Sequence, residues 1–405
     1  MKILQPFTAL SNKLFARLYI AQTISLLGDA FTWLGIALLA FEFGGTNSAQ
    51  ILATALTLRV TAYIIFGSYA GVLADRLDRK KILIITHLSR MVIVGLFPFV
   101  TTVLQVYVLI FFLNVFNAFF SPAYRAAIPQ LILKKENYGD AITLSNATWQ
   151  LLGILGPGLA GIFATILGVR QIFFFDAVSF ILAAILIFTI PGSLLIRGEI
   201  LSENRKVKDI WNDIQKGTRM LYKKIPIRFS LFIELVTAVA GAHILVNTVG
   251  HIKGDLHLTD KYYGLIMTAF GIGATIAAFT ANTIDKSKNK TTLLISGAAM
   301  IGVAVILGNF ASYHILMIFW VIAGLGQSFT LMPSQILIAE NILLKEQGKV
   351  YGAHFAWSHL WWAIGYLTAG FTGTYFKGNE FLIGGILSST LLIVLCSYYY
   401  FRTNK

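Results

Sequence analysis

The sequence predicts an all-α membrane protein: twelve transmembrane helices in two six-helix, pseudo-symmetric bundles, with both termini cytoplasmic. Three observations carry this expectation. The 405 residues are 57% hydrophobic and only 12% charged, whereas soluble domains carry roughly a quarter charged residues. The apolar residues fall in runs of the length a bilayer demands, about 20 residues. The basic residues concentrate in alternate connections between those runs.

The predicted spans are 18–43, 50–73, 82–103, 106–129, 141–167, 172–190, 227–250, 260–284, 291–309, 314–338, 349–376 and 380–402. An even number of spans puts both termini on one side. With the termini in the cytoplasm, 24 of the 32 Lys and Arg residues lie in cytoplasmic segments, counting Lys349 and Arg402 at the cytoplasmic ends of their spans, and four lie in outer loops, Arg170, Lys253, Lys261 and Lys377. That bias follows the positive-inside rule and supports the orientation. It also gives the net charge of +14 a bland cause, so no nucleic-acid partner is expected. The single cysteine, Cys396, excludes an internal disulfide and a cysteine-based metal site. No cofactor and no metal are expected. Met1 to Arg17 lacks the apolar core and small residues of a cleavable signal peptide.

Residues 191–226 form the longest polar segment and separate two sets of six spans. The expected organisation is therefore a bundle over 1–190, a cytoplasmic linker over 191–226 and a second bundle over 227–405. Within the linker, Ile210, Trp211, Ile214 and Leu221 recur at helical spacing among lysines. This predicts an amphipathic helix on the membrane surface, with a merely solvated linker as the other reading. A weak internal repeat supports the division. The charged stretch Asp75 to Lys81 follows the second span, and Asp285 to Lys290 follows the eighth.

The stretch Gly71-Val72-Leu73-Ala74-Asp75-Arg76-Leu77-Asp78-Arg79-Lys80-Lys81 is a highly charged hairpin between two apolar runs. It resembles the loop between helices 2 and 3 of the major facilitator superfamily of twelve-helix secondary transporters. The resemblance implies that Gly71, Asp75, Arg76, Arg79 and Lys80, joined by Arg125 at the inner end of the fourth span, form a breakable cytoplasmic gate. Asp78 stands where the family usually has glycine, and it is expected to loosen the turn. Gly153, Gly156, Pro157 and Gly161 in the fifth span match the G-x-x-G-P-x-x-x-G stretch of the superfamily's antiporter branches. Physically, the glycines allow close helix approach and the proline permits a bend; a packing helix with no transport role is the alternative. Ala118 to Ala123, Ile128-Pro129, Phe175 to Phe180 and the first-span residues Gln22, Ser25, Gly28 and Asp29 are similar to the macrolide-efflux type of drug/proton antiporter. The enterobactin exporter and the bacterial lysophospholipid flippase are relatives with similar marks. The resemblance covers residues 18–190; the second half matches mainly in hydropathy. Where many drug antiporters carry an arginine in the fourth span, this chain reads Asn114 to Ala118, so that proton-relay role does not transfer. Arg90, beside His87, is the candidate substitute.

Polar groups inside a bilayer are expensive, at least about 2.5–3.5 kcal/mol for a charge at the centre, and should face a cavity or a partner. Asp29 and Arg59 both reach roughly 16 Å into their spans at 1.5 Å per residue, and an ion pair between them is conceivable. Glu234 lies about 10 Å into the seventh span by the same rise. Asp29 and Glu234 are the candidate proton-coupling acids; static packing partners are the bland reading of both. Asp176 reads as part of a packing motif. His354, Trp357 and Trp361 share one helical face, with Ser358 beside it, and offer an aromatic surface for flat or cationic ligands. Gln22, Arg59, Arg90 and Asn114 complete the expected substrate cavity.

No P-loop and no H-E-x-x-H occurs, so ATP-driven transport and zinc proteolysis have no support, and no enzyme is expected. The expectation is a monomeric, multi-pass protein of a bacterial-type inner membrane. Its partners would be lipid, protons and a small amphipathic substrate, a drug or a siderophore, exported by proton antiport with consequent multidrug resistance or siderophore export. Lipid flipping is the alternative transporter, and a non-transporting receptor is the alternative from another class.

Overall fold

A computed structural model describes residues 2–132, 135–195, 207–279 and 290–403. Among these residues every regular element is helical. The α-helices are α1 Lys13–Gly44, α2 Ser48–Arg76, α3 Arg79–Leu96, α4 Val103–Leu131, α5 Lys135–Leu167, α6 Ile172–Phe188, α7 Val207–Lys223, α8 Ile225–Gly250, α9 Asp260–Phe279, α10 Lys290–Gly308, α11 Tyr313–Asn341, α12 Leu344–Tyr375 and α13 Glu380–Thr403. Short 3-10 turns precede α1, join α1 to α2, and follow α3 and α6; a π-turn, His251–Asp255, follows α8. With α7 set aside, twelve helices correspond to the twelve expected spans. Eight stretches among the described residues are long and apolar enough to cross a membrane, and α6 is a shorter apolar helix. Membrane spans must be helices or closed barrels, because no water is present to satisfy the backbone.

Local chemistry sets the helix ends. Thr102 and Gln105 form a reciprocal capping box at the start of α4. Asp78 caps α3: its backbone is extended (φ −62°, ψ 113°) and its carboxylate accepts from the Lys81 N–H at 3.3 Å. The expectation that Asp78 loosens this turn is therefore corrected, since an Asp at this position holds an otherwise unpaired N–H. Gly168 (φ +101°) and Gly378 (φ +78°) sit in the connections after α5 and α12.

The chain forms two compact units: residues 1–39 with 61–203, and residues 40–60 with 204–405. In the first unit α3 packs on α4 and α6, and α5 on the N-terminal 3-10 turn. Gly156 places α5 directly on α1, where a Cβ would come within 2.4 Å of the Ala30 Cβ. Gly153, in the same motif, faces open space. In the second unit α8 is the central helix, in contact with α10, α11, α12 and α13. Small residues let α12 approach it, and Trp320 Nε1 reaches it by donating to Thr248 Oγ1 at 3.1 Å. Residues 40–60 pack in this unit along α12, Ala53 against Gly370 and Ala49 against Gly373, with Lys377 Nζ donating to Thr46 Oγ1 at 2.9 Å.

The two units repeat one device. Asn12 caps α1 through its Oδ1, while its Nδ2 donates to the Leu131 carbonyl at the end of α4 at 2.7 Å. Lys224, the residue before α8, donates to the Asn341 carbonyl at the end of α11 at 2.6 Å. A proline interrupts α4 at Pro122 and α11 at Pro333, at matching depths. The helix α7 lies against α12. Leu221 is buried, Gly217 touches the Lys349 carbonyl, Asp213 pairs with Lys349 at 3.6 Å, and Trp211 is exposed. The side chain of Ile210 lies outside the described residues.

Two outcomes check these contacts. Asp78→Ala should lower stability by about 1 kcal/mol, the usual cost of losing an N-cap, read as an earlier thermal unfolding midpoint in detergent. Gly156→Leu should cost about 1–3 kcal/mol through overpacking against Ala30, whereas Gly153→Leu should leave the midpoint near that of the wild type.

Candidate functional site

Each unit buries a constellation of polar side chains among the described residues. In the second unit it centres on α8. Glu234 is 5% exposed and His354, from α12, is 4% exposed. The imidazole Nε2 meets Glu234 Oε1 at 2.8 Å. The other ring nitrogen faces Gln335 Nε2 of α11 at 3.5 Å. Glu234 Oε2 is buried with no hydrogen-bond partner, and so is the Ser334 hydroxyl of α11. A carboxylate in this state has capacity to accept one more hydrogen or ligand donor. Further along the α8–α12 seam His243 is bonded at both ring nitrogens, to the Val239 carbonyl at 2.9 Å and Thr372 Oγ1 at 3.0 Å. His243 is thus a satisfied packing residue, while Glu234 retains an open oxygen.

The aromatic face of α12 lies next to this pair. Trp361 is buried, donates to the Leu231 carbonyl at 3.0 Å and packs on Phe232. Trp357 donates to Thr218 Oγ1 of α7 at 3.3 Å and meets Tyr222 edge-on at 5.5 Å. Burial pushes the Tyr222 phenol above its usual range. Ser358 is half-buried. Arg59, on α2 within this unit, lies within electrostatic reach of His359 and Tyr366. Trp362 and Gln327 flank Gly241 of α8, and Gln327 Oε1 is buried without a partner.

In the first unit the constellation joins α1, α3, α4 and α6. Arg90 is fully buried, its guanidinium 4.4 Å from both the Phe120 and Phe180 ring centres. It donates to Asn117 Oδ1 at 2.7 Å and meets His87 Nδ1 at 2.8 Å. Asp29 and Asp176 lie within its electrostatic reach. Asp176 accepts from Thr32 Oγ1 at 2.5 Å and from Ser179 Oγ at 3.0 Å. Gly28 makes this possible: a Cβ there would fall 2.3 Å from Asp176 Oδ1. Asn114 is buried and spends its amide N–H on the Ile110 carbonyl at 2.8 Å, leaving Oδ1 unpartnered. Gln22 Oε1 is also buried and unpartnered.

Of the expected gate, the side chains of Gly71, Asp75 and Arg76 lie outside the described residues, although their backbone continues α2. Arg79 is buried and donates to the Ala126 carbonyl of α4 at 3.2 Å. Lys80 donates to the Phe188 and Ile190 carbonyls at 2.8 and 2.7 Å, closing the end of α6. Arg125 is exposed. Gly161 is buried in α5, and Pro157 lies inside the same helix. Asn117, Thr32 and Gln335 were not singled out from the sequence. Asn117 lies one turn beyond Asn114, and Gln335 follows Pro333, but neither spacing names a partner on another helix.

A family model described as the Major Facilitator Superfamily matches residues 18–233 and 230–405. The chain is 24% identical over 402 residues to macrolide efflux protein A of Streptococcus pyogenes, covering 94% of each. It is 21% identical over 328 residues to the staphyloferrin A transporter of Staphylococcus aureus, covering 78% of this chain and 80% of that one. The crystal structure of the nucleoside transporter NupG superposes with a TM-score of 0.75 at 15% identity, covering 95% of this chain and 98% of that one. Together with the twelve-helix fold, these matches establish that the chain belongs to the major facilitator superfamily, as a multi-pass transporter of the bacterial cytoplasmic membrane.

Proposed function

We propose that the protein is a secondary active exporter of amphipathic small molecules, driven by proton antiport through alternating access. The observation that carries this reading is the Glu234–His354 pair. The carboxylate and the imidazole are both buried and meet at 2.8 Å, and the second carboxylate oxygen has no partner among the described residues, so the pair has capacity for one further proton or donor. Asp29, within reach of Arg90 and Asp176, is the corresponding acid of the first unit. Gln22, Arg59, Arg90, Asn114, His354, Trp357, Ser358 and Trp361 are the residues assigned to the substrate cavity, with fully buried Arg90 the basic group within reach of Asp29. The loop acid and bases Asp75, Arg76, Arg79 and Lys80 are assigned to the gate.

The likeness to a macrolide efflux protein and to a staphyloferrin A transporter supports a bulky amphipathic substrate, a drug or a siderophore. A monomer suffices for this mechanism.

Coupling and packing roles separate by substitution. Glu234→Gln keeps a hydrogen-bonding partner for His354 and should shift stability by less than about 1 kcal/mol. In the same variant, proton release on adding a macrolide or a siderophore to detergent-solubilised protein should disappear. His354→Ala leaves a buried acceptor unsatisfied and should cost about 1–3 kcal/mol in thermal unfolding. Undiminished proton release in Glu234→Gln would remove Glu234 from the coupling machinery. Transport into vesicles that ignores an imposed proton gradient would favour lipid flipping or uniport instead.

A further inference from the structure

A second polar cluster lies in the second unit, on groups that the proposed transport cycle does not use. The π-turn after α8 carries His251 and Asp255, and the first residue of α13 is Glu380. One ring nitrogen of His251 and one carboxylate oxygen each from Asp255 and Glu380 lie within 4.8 Å of one another. They border a small open cleft whose wall also includes Asn247, Ser48 and Lys377.

Three features distinguish this cluster from a chance meeting of surface acids. Glu380 is only 6% exposed, and its Oε2 has no hydrogen-bond partner among the described residues. Asn247 is 2% exposed, and neither its Oδ1 nor its Nδ2 has a partner. His251 Nδ1 is held by Asp255 Oδ2 at 2.9 Å, while its Nε2 is buried and unpartnered. Buried polar atoms are nearly always satisfied. A wall with four such atoms around one cleft is under-satisfied in the way a binding site is before its ligand arrives. Gly373 leaves the room for Asn247, since a Cβ there would fall 2.1 Å from Oδ1.

The nearest basic groups do not discharge the cluster. Lys377 donates to Thr46 Oγ1 at 2.9 Å. Lys253 is paired with Asp260 and lies 5.4 Å from the Phe41 ring centre. Neither is ion-paired to Asp255 or Glu380 among the described residues. Two carboxylates and one lysine leave the cleft with a surplus of negative charge that a divalent cation would satisfy.

We propose that His251, Asp255 and Glu380 bind a divalent first-row transition ion. One imidazole nitrogen and two carboxylates form a mixed N/O donor set. Imidazole favours zinc and its neighbours, while calcium and magnesium prefer all-oxygen shells. Asp255 Oδ2 already faces His251 Nδ1 at 2.9 Å, and the ion would take the place of that hydrogen bond so that both atoms ligate it. Two ligands at the zinc–ligand lengths of about 2.0–2.2 Å stand at most ~4.4 Å apart, so donor atoms up to 4.8 Å apart draw together when the ion binds. The bound ion would tie the end of α8 to the start of α13, next to the segment 40–60.

The test uses the full chain in detergent, purified without a histidine tag and stripped with chelator. Titration with Zn²⁺ should release heat at a stoichiometry of one. Co²⁺ should produce a visible absorption band of nitrogen/oxygen ligation. Binding should weaken by roughly 10–100-fold or more in Glu380→Gln and in His251→Ala, and stay unchanged in His257→Ala, an exposed histidine outside the cluster. If either buried variant fails to fold, Asp255→Asn, at the exposed edge of the cluster, carries the same expectation. Absence of both the Zn²⁺ heat and the Co²⁺ band in the wild type would overturn the proposal. So would equal Zn²⁺ affinity in the wild type and in the Glu380 and His251 variants.

Discussion

Hydrocarbon offers a polar group no partner, and the arrangement of both units follows from that constraint. Apolar side chains gain little from leaving lipid for another helix, so small residues, hydrogen bonds and ion pairs must hold the helices together. The second unit meets the constraint by enclosing α8. Its polar side chains Glu234, His243, Asn247 and Thr248 lie at successive levels, and most of them reach a partner on another helix. Asn247 and the free oxygen of Glu234 are the exceptions. Those exceptions are the atoms on which the proposed proton site and the proposed ion site rest.

The helix ends meet the same constraint differently. A helix leaves its last carbonyls unpaired and its C-terminus partly negative. Lys80 and Arg17 reach the carbonyls that end α6, and Lys224 reaches the one that ends α11. Basic residues here are therefore more than a topology signal. Some of those that bias the sequence count are structural caps, each holding a helix end in place. The matching positions of Asn12 before α1 and Lys224 before α8 show this device surviving in both halves, although one cap is neutral and the other charged.

The fold was largely legible because hydropathy and charge bias are properties of contiguous stretches. The start of α5 shows the limit: the polar residues 135–140 are helical, yet hydropathy alone placed the span start at 141. The sites were legible only in part. Glu234 and His354 each stood out as an ionisable group in an apolar run, but they are 120 positions apart. Nothing in either stretch announces the other. Arg90 and Asp176 lie within reach of Asp29, and His359 and Tyr366 within reach of Arg59, neighbours that depth along a span does not name. Depth along a helix can be counted from sequence, but rotation about its axis is set by packing. The His251–Glu380 cluster was invisible for a related reason. His251 and Asp255 fall in the connection after the seventh span and Glu380 at the start of the last, 125 or more positions away.

Arg90 also constrains how the protein can be made. Its guanidinium sits on α3, but Asn117 and Phe120 belong to α4 and Phe180 to α6. Synthesis runs from the N-terminus, so α3 leaves the ribosome before any of these partners exists. A lone arginine near the middle of a helix opposes release into lipid by about 2.5–3.5 kcal/mol on insertion scales. Until α4 and α6 arrive, α3 must shelter at the insertion machinery or against α1 and α2. The first unit is thus assembled as a group of helices rather than one span at a time.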